Sequence, residues 1–182
     1  MSQIVSKGSV LVAHPLMDDL NFTRSVILIV NHDEDGTLGF VLNQDAELTL
    51  DQAIQDATEA HCISIGGPVS PDHLYFIHCR PDLIEDAQSI DDFLYWGGDY
   101  HQMMEAVKSK AIEKGHIRFF VGYSGWSEGQ LDEEINEGAW QVLPCNLVPC
   151  LSEDPKLWSD MISQLPQDVQ QWRNAPEIPE LN

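Results

Sequence analysis

Val26-Ile27-Leu28-Ile29-Val30-Asn31-His32-Asp33-Glu34-Asp35-Gly36-Thr37-Leu38-Gly39-Phe40-Val41-Leu42 is the stretch that decides the fold class. Two runs rich in β-branched and aromatic residues flank Asp-Gly, a strong short-range hairpin signal. Five consecutive apolar residues, 26–30, suit a buried strand. Outward from this hairpin the chain offers more strands. Ser9 to Ala13 is ended by His14-Pro15, and Ile63 to Ile65 is stopped by Gly66-Gly67-Pro68. Leu74 to His78 closes before Pro81, His116 to Tyr123 is a central strand, and Ala139 to Leu143 follows Gly138. Ile90 to Trp96 is strand-like but broken by Asp91-Asp92.

Helices fall between these strands. Thr49 and Gln52 have the offset of a capping box, and Leu50, Ala53, Ile54 and Ala57 share one face, which predicts a helix over about 50–59. Asp99 and Gln102 repeat the offset ahead of Tyr100, Met103, Met104, Val107 and Ala111, with Gly115 as the left-handed stop. Ser127 and Gln130 open an acidic helix that carries Leu131 and Ile135 inward and ends at Gly138. Asp154-Pro155 reads as N-cap and first turn of a last helix with Leu157, Trp158, Met161, Ile162 and Leu165 at helical spacing. Hairpins outnumber strand–helix–strand units, so the class is α+β with a mixed, mostly antiparallel sheet and helices packed outside. Without internal repeats or low-complexity linkers, residues 1–182 read as one domain, with an irregular tail after about residue 166.

The net charge is −21, from thirty acids against only nine Lys and Arg. Such a surface repels phosphate backbones and anionic headgroups, so direct nucleic-acid or membrane binding is not expected. Lys108, Lys110, Lys114 and Arg118 form the one basic cluster in sequence, diluted by Glu105 and Glu113, and read as a solvated face. The N-terminal residues lack a basic head and long apolar stretch, so a cytoplasmic chain is the expectation. The four cysteines then read as reduced thiols. Neither the Cys145–Cys150 spacing nor Cys62 and Cys79 with His61, His73 and His78 matches a zinc pattern. No metal, cofactor or catalytic set is read.

Several residues invite chemistry. Gly122-Tyr123-Ser124-Gly125-Trp126 begins like a nucleophile elbow but puts Trp where the last glycine belongs, so Ser124 reads as a turn residue. Gly66-Gly67-Pro68-Val69 follows a strand but lacks the lysine and helix start of a phosphate loop, and reads as a tight turn. Arg24 pairs with a carboxylate such as Asp19 or, more sharply, captures an anion. His32 and His78 end strands; each reads as a structural group, and the two titrate near neutrality if brought together.

The segment Gly122 to Ile135, followed by Ala139-Trp140, holds two tryptophans with Gly125, Gly129 and Gln130 at fixed offsets. It resembles a signature of the YqgE/AlgH (UPF0301) family. Further blocks carry the same resemblance over roughly Gly8 to Trp158: Leu11 to Pro15, Asp19, Phe22, Arg24 to Val26, His32, Gly36, Gly39, Val41-Leu42-Asn43, Gly66-Gly67-Pro68-Val69, His78 and Leu157-Trp158. The resemblance implies an α+β pseudo-barrel of bifurcated sheet and no established chemistry, with a transcription-related role proposed within the family. Leu20 departs from a frequent Pro, and Gln44-Asp45 from a frequent basic residue and Pro, which removes a cation from that corner. The resulting expectation is a non-enzymatic binding or regulatory domain for a protein or small-molecule partner. Its candidate binding residues are Arg24, His32, Asn43, Gly67, His78, Trp126 and Gln130. The rival is an enzyme using Arg24, His32 or His78, and convergence of His78, Arg24 and an acid in one cleft separates the two. Trp126, placed to staple against Leu131, and Trp140 are expected to be buried.

Overall fold

The computed structural model describes residues 4–175. Its frame is a mixed, mostly antiparallel sheet of ten strands: β1 (Ser9–Ala13), β2 (Val26–Asp33), β3 (Gly36–Val41), β4 (Asp45–Thr49), β5 (Cys62–Ile65), β6 (Val69–His78), β7 (Gln88–Ser89), β8 (Tyr95–Trp96), β9 (Ile117–Trp126) and β10 (Trp140–Pro144). The helices are α1 (Leu50–Ala53), α2 (Tyr100–Lys108), α3 (Gln130–Asn136), α4 (Leu157–Ile162) and α5 (Gln167–Gln170). The main strand path, β10-β1-β2-β3-β9-β6-β8-β7, is open. It forks at β9, which pairs antiparallel with β3 and β6 and in parallel with β5.

The β2–β3 hairpin forms as read, with Asp33 opposite Gly36 and Ile27 opposite Val41. Asp33 accepts from Asp35 N–H at 3.0 Å and from Asn31 Nδ2 at 2.7 Å, which fixes the turn. Gly36 cannot be replaced: its φ is +140°, and a Cβ there would lie 2.4 Å from Trp126 O.

Residues 26–30 are apolar without alternation because both faces of β2 are covered. Leu28 and Val30 share a core with Val10, Val12, Phe40 and Phe120, closed by Leu157, Trp158, Met161 and Ile162 of α4. Ile27 and Ile29 face Leu11, Val41, Trp126, Leu131 and Trp140 instead. A third core gathers Ile63, Phe76 and Phe119 under Met103, Met104 and Val107 of α2.

Several elements depart from the sequence reading. The first helix stops at Ala53, not near residue 59, because Leu50 N–H bonds to His61 O and Thr49 pairs with Cys62. A ten-residue helix would run about 15 Å, and the two residues left could return only about 7 Å. β4, unread in the sequence, supplies the other half of that pairing. α2 keeps its Asp99 cap, with Oδ1 accepting from Gln102 N–H at 2.9 Å, but ends at Lys108. Lys110, at φ +60°, makes the left-handed turn after this helix, and Gly115, at φ +91°, makes a further one beyond it. Ile90 to Trp96 is not one strand; β7 and β8 flank an Asp91 turn whose carboxylate accepts from Phe93 and Leu94 N–H. α5 forms after Pro166, where irregular chain is expected; Pro176 and Pro179 lie outside the described residues. No described helix is long and apolar enough to cross a membrane.

Candidate functional site

The seven residues expected at a site do not converge. Trp126 is buried, and its Nε1 donates to Glu134 Oε2 at 2.9 Å. Trp140 Nε1 donates to the same oxygen at 2.8 Å, while Gln130 Nε2 reaches Glu134 Oε1 at 3.0 Å. Gln130 Oε1 in turn accepts from Ser127 N–H and Oγ–H. Phe22 stacks on Trp126 and meets Trp140 edge-on. Trp126, Gln130 and Trp140 thus build a turn around Glu134. In sequence that carboxylate is one of several on an acidic helix; it is half-buried and organises both indoles.

Gly67 is a contact point between backbones. A Cβ there would lie 2.3 Å from Tyr123 C, and one on Gly122 would lie 2.4 Å from Gly67 O. The glycines of both motifs therefore serve a close crossing of β9 by the β5–β6 connection. Ser124 is fully buried, and its Oγ donates to Gly66 O at 3.1 Å. That oxygen also accepts from Val41 N–H. Ser124→Ala should therefore cost no more than about 1 kcal/mol and leave a fluorophosphonate probe unreactive in both forms; probe labelling of Ser124 would contradict this.

His32 lies exposed on the hairpin, its Nδ1 2.7 Å from Thr37 Oγ1. His78 is fully buried on β6. Its Nδ1 accepts from Arg80 N–H at 3.2 Å, so Nε2 is left to donate to Gly97 O, also at 3.2 Å. Those two bonds define one neutral tautomer, and burial pushes the imidazole pKa below its ordinary 6.5. Burial lowers His61 and His14 in the same direction. Near and below pH 6.5 the unfolded chain then binds more protons than the folded one. Stability held above that value is lost as pH falls through it. Melts between about pH 7.5 and pH 5.5 should show this loss, and His78→Gln should flatten it; an unchanged slope would show that His78 is not a contributor.

Arg24 and Asn43 do meet. Asn43 Nδ2 donates to Arg24 O and its Oδ1 accepts from Val26 N–H, both at 2.8 Å, clamping a turn in which Arg24 has φ +53°. The expected Asp19 partner is not used: Asp19 caps its own turn through Asn21 N–H. The Arg24 guanidinium lies over the Trp158 ring at 5.3 Å and donates to Ala175 O at 2.8 Å. It borders a cavity of about 620 Å³ lined by Thr23, Asn43, Gln44, Lys156, Ser159 and Arg173, among others. Lys156 and Arg173 line this wall beside Arg24, and among the described residues no carboxylate does, whereas each of the other four cavities described holds at least one acid. Lys156 and Arg173 make no ion pair with a described carboxylate.

Asn43, Gln44 and Pro155 also line a second cavity, of about 220 Å³, backed by Arg118. Arg118 is 3% exposed, so the solvated basic face assigned to it is wrong. Its Nη1 donates to Cys150 O at 3.2 Å and Ser152 O at 2.7 Å; its Nη2 donates to Leu42 O and to Ser64 Oγ at 3.0 Å. Nε has no partner, and burial draws the guanidinium pKa down to about 10. The sequence signal was its setting, Ile117-Arg118-Phe119-Phe120: a lone charge in an apolar central strand must point inward. Cys62 opens on the same cavity, but a hydrogen bond with Glu153 raises its thiol pKa, opposite to an activated nucleophile. His78, Arg24 and an acid do not share any of the described cavities. Among the described residues, no group of three His, Cys, Asp or Glu side chains could hold a metal.

A forked, mostly antiparallel sheet carrying short helices defines a class of small α+β domain already solved elsewhere. A Corynebacterium diphtheriae protein superposes with a TM-score of 0.77 at 24% identity, covering 96% of this chain and 94% of its own. The AlgH protein of Pseudomonas aeruginosa gives 0.72 at 24%, covering 94% and 97%. The AlgH-like family pattern matches residues 10–170, and the chain belongs to that family. Among its relatives are UPF0301 proteins of Parabacteroides distasonis, 39% identical over 97% of this chain and 91% of that one, and of Chlorobaculum parvum, 34% identical over 99% and 97%.

Proposed function

We propose that this chain is a non-enzymatic cytoplasmic binding domain whose ligand is a small phosphate- or carboxylate-bearing anion, seated between Asn43, Lys156 and Arg173. The observation that carries this is the pairing of Lys156 and Arg173 in one cavity that no described acid lines, in a chain with net charge −21. A cation unpaired on such a surface gains from a bound anion. Thr23, Asn43, Gln44, Ser159 and Asn174 add neutral donors to the same wall. The cation missing after Asn43 in sequence is replaced from a distance, by residues of the C-terminal segment. Four free thiols suit a reducing compartment. A cleft of this size takes a small anion rather than a duplex, which the remaining surface repels. A regulatory output would therefore run through a protein partner.

Thermal melts of the reduced protein test this, with inorganic phosphate, pyrophosphate or citrate compared with chloride at equal ionic strength. An anion present at a hundred times its dissociation constant stabilises by about 2.7 kcal/mol. Lys156→Glu with Arg173→Glu should abolish that gain without lowering the melting temperature in chloride. A gain that survives the double change would place the anion elsewhere.

A further inference from the structure

A second cluster lies behind the cleft wall. After β10 a single 3-10 turn, Cys145–Leu147, folds the chain back, with Val148 N–H donating to Cys145 O and Cys150 N–H to Val148 O. This brings the Cys145 and Cys150 sulfurs to 3.3 Å, both buried and unbonded. Pro149 stiffens the short loop that joins them, and Pro144 fixes its entry. A disulfide of about 2.05 Å needs the sulfurs to close by roughly 1.2 Å, a distance within side-chain rotation. Both sulfur-bearing residues line a cavity of about 530 Å³ that also holds Cys79, Asp91 and the exposed Phe93, so a small oxidant has a route in.

We infer that Cys145 and Cys150 form a dithiol that hydrogen peroxide closes to a reversible disulfide. The roles are unequal. The hydrogen bond from Cys150 favours the thiolate at Cys145, and the same bond with burial disfavours it at Cys150. Cys145 is the attacking sulfur: it takes the distal peroxide oxygen, the O–O bond breaks, and a sulfenic acid and one water result. The Cys150 sulfur then attacks Cys145, the S–S bond forms, the S–O bond breaks and a second water leaves. Two thiols lose two electrons, and one peroxide becomes two waters. Cys62 and Cys79 compete poorly, because their surroundings push both thiols up.

Closure bears on the cleft. Cys150 O and Ser152 O are acceptors for Arg118, and the chain runs directly on to Pro155 and Lys156 in the cleft wall. This consequence rests on the anion-binding reading; the dithiol itself does not.

The test uses the whole reduced protein, treated with hydrogen peroxide, alkylated and digested with trypsin. The peptide 119–156 carries Cys145 and Cys150 and neither other cysteine. It should lose two hydrogens, escape alkylation and recover both thiols with dithiothreitol. In Cys150→Ser, dimedone should trap a sulfenic acid on Cys145. A doubly alkylated peptide in samples where Cys62 or Cys79 is already oxidised would overturn the inference, as would a disulfide to Cys79. The mapping needs no ligand, so it is independent of anion binding. Where phosphate binds, its dissociation constant should shift on oxidation and return with dithiothreitol; an unchanged constant would sever the link through Arg118.

Discussion

Trp140→Ala is expected to destabilise the protein by roughly 3–5 kcal/mol, the range for removing a core aromatic. Trp140 is fully buried and touches Phe22 and Trp126 edge-on. It also opens β10, where it pairs with Ala13. Its loss leaves a cavity and takes from Glu134 one of its two indole donors. For a domain with about 5–15 kcal/mol in total, that is a large share. Trp126→Ala should follow in the same direction. Glu134→Ala makes the cause visible: it removes no aromatic volume yet strands two buried N–H groups, at about 1–3 kcal/mol for each group left unmet. Urea denaturation of the three variants decides. A Trp140→Ala protein with unchanged midpoint, or Glu134→Ala with no loss, would show that the turn is not held this way.

Arg118→Met is expected to cost about 3 kcal/mol, from buried carbonyls left at about 1–3 kcal/mol each, offset by relief of a desolvated charge. Cys150 O and Ser152 O lie on one segment and Leu42 O on another, and one guanidinium ties both to β9. Lysine offers three donors at a point rather than a fork, so Arg118→Lys should recover only part of the loss. Full recovery by lysine would mean that charge, not the fork, is what the site needs. The expected loss should appear together with faster alkylation of Cys62, which lines the same cavity.

What could be read from sequence was what local chemistry decides. The Asp33–Gly36 hairpin, the strand over 9–13 and the Asp99 cap each depend on residues a few positions apart, and each formed. Burial of Trp126 and Trp140 also followed from their place beside the signature helix. Features set by distant chain segments were not legible. The first helix is cut short by a strand pairing that closes Thr49 on Cys62. β9 could be read as central, but not as the fork that serves β3, β5 and β6 at once. Glu134 looked like its acidic neighbours until the two indoles arrived from either side. The candidate cleft was half legible: Arg24 and Asn43 were singled out, whereas Lys156 and Arg173 reach it only through packing of the C-terminal helices. His32, His78 and Gly67 were singled out as binding candidates; what holds them in the fold is a cross-strand pair, a buried tautomer and a backbone crossing.

The most direct measurement is a titration of the isotope-labelled, reduced protein with pyrophosphate, followed by amide nuclear magnetic resonance. Saturable shifts should gather at Asn43, Gln44, Lys156, Ser159 and Arg173, with the 33–36 turn and α2 unmoved, and should weaken as salt screens the cations. Absence of saturable shifts up to millimolar ligand, or shifts centred on Lys108 and Lys114, would contradict an anion site in this cleft.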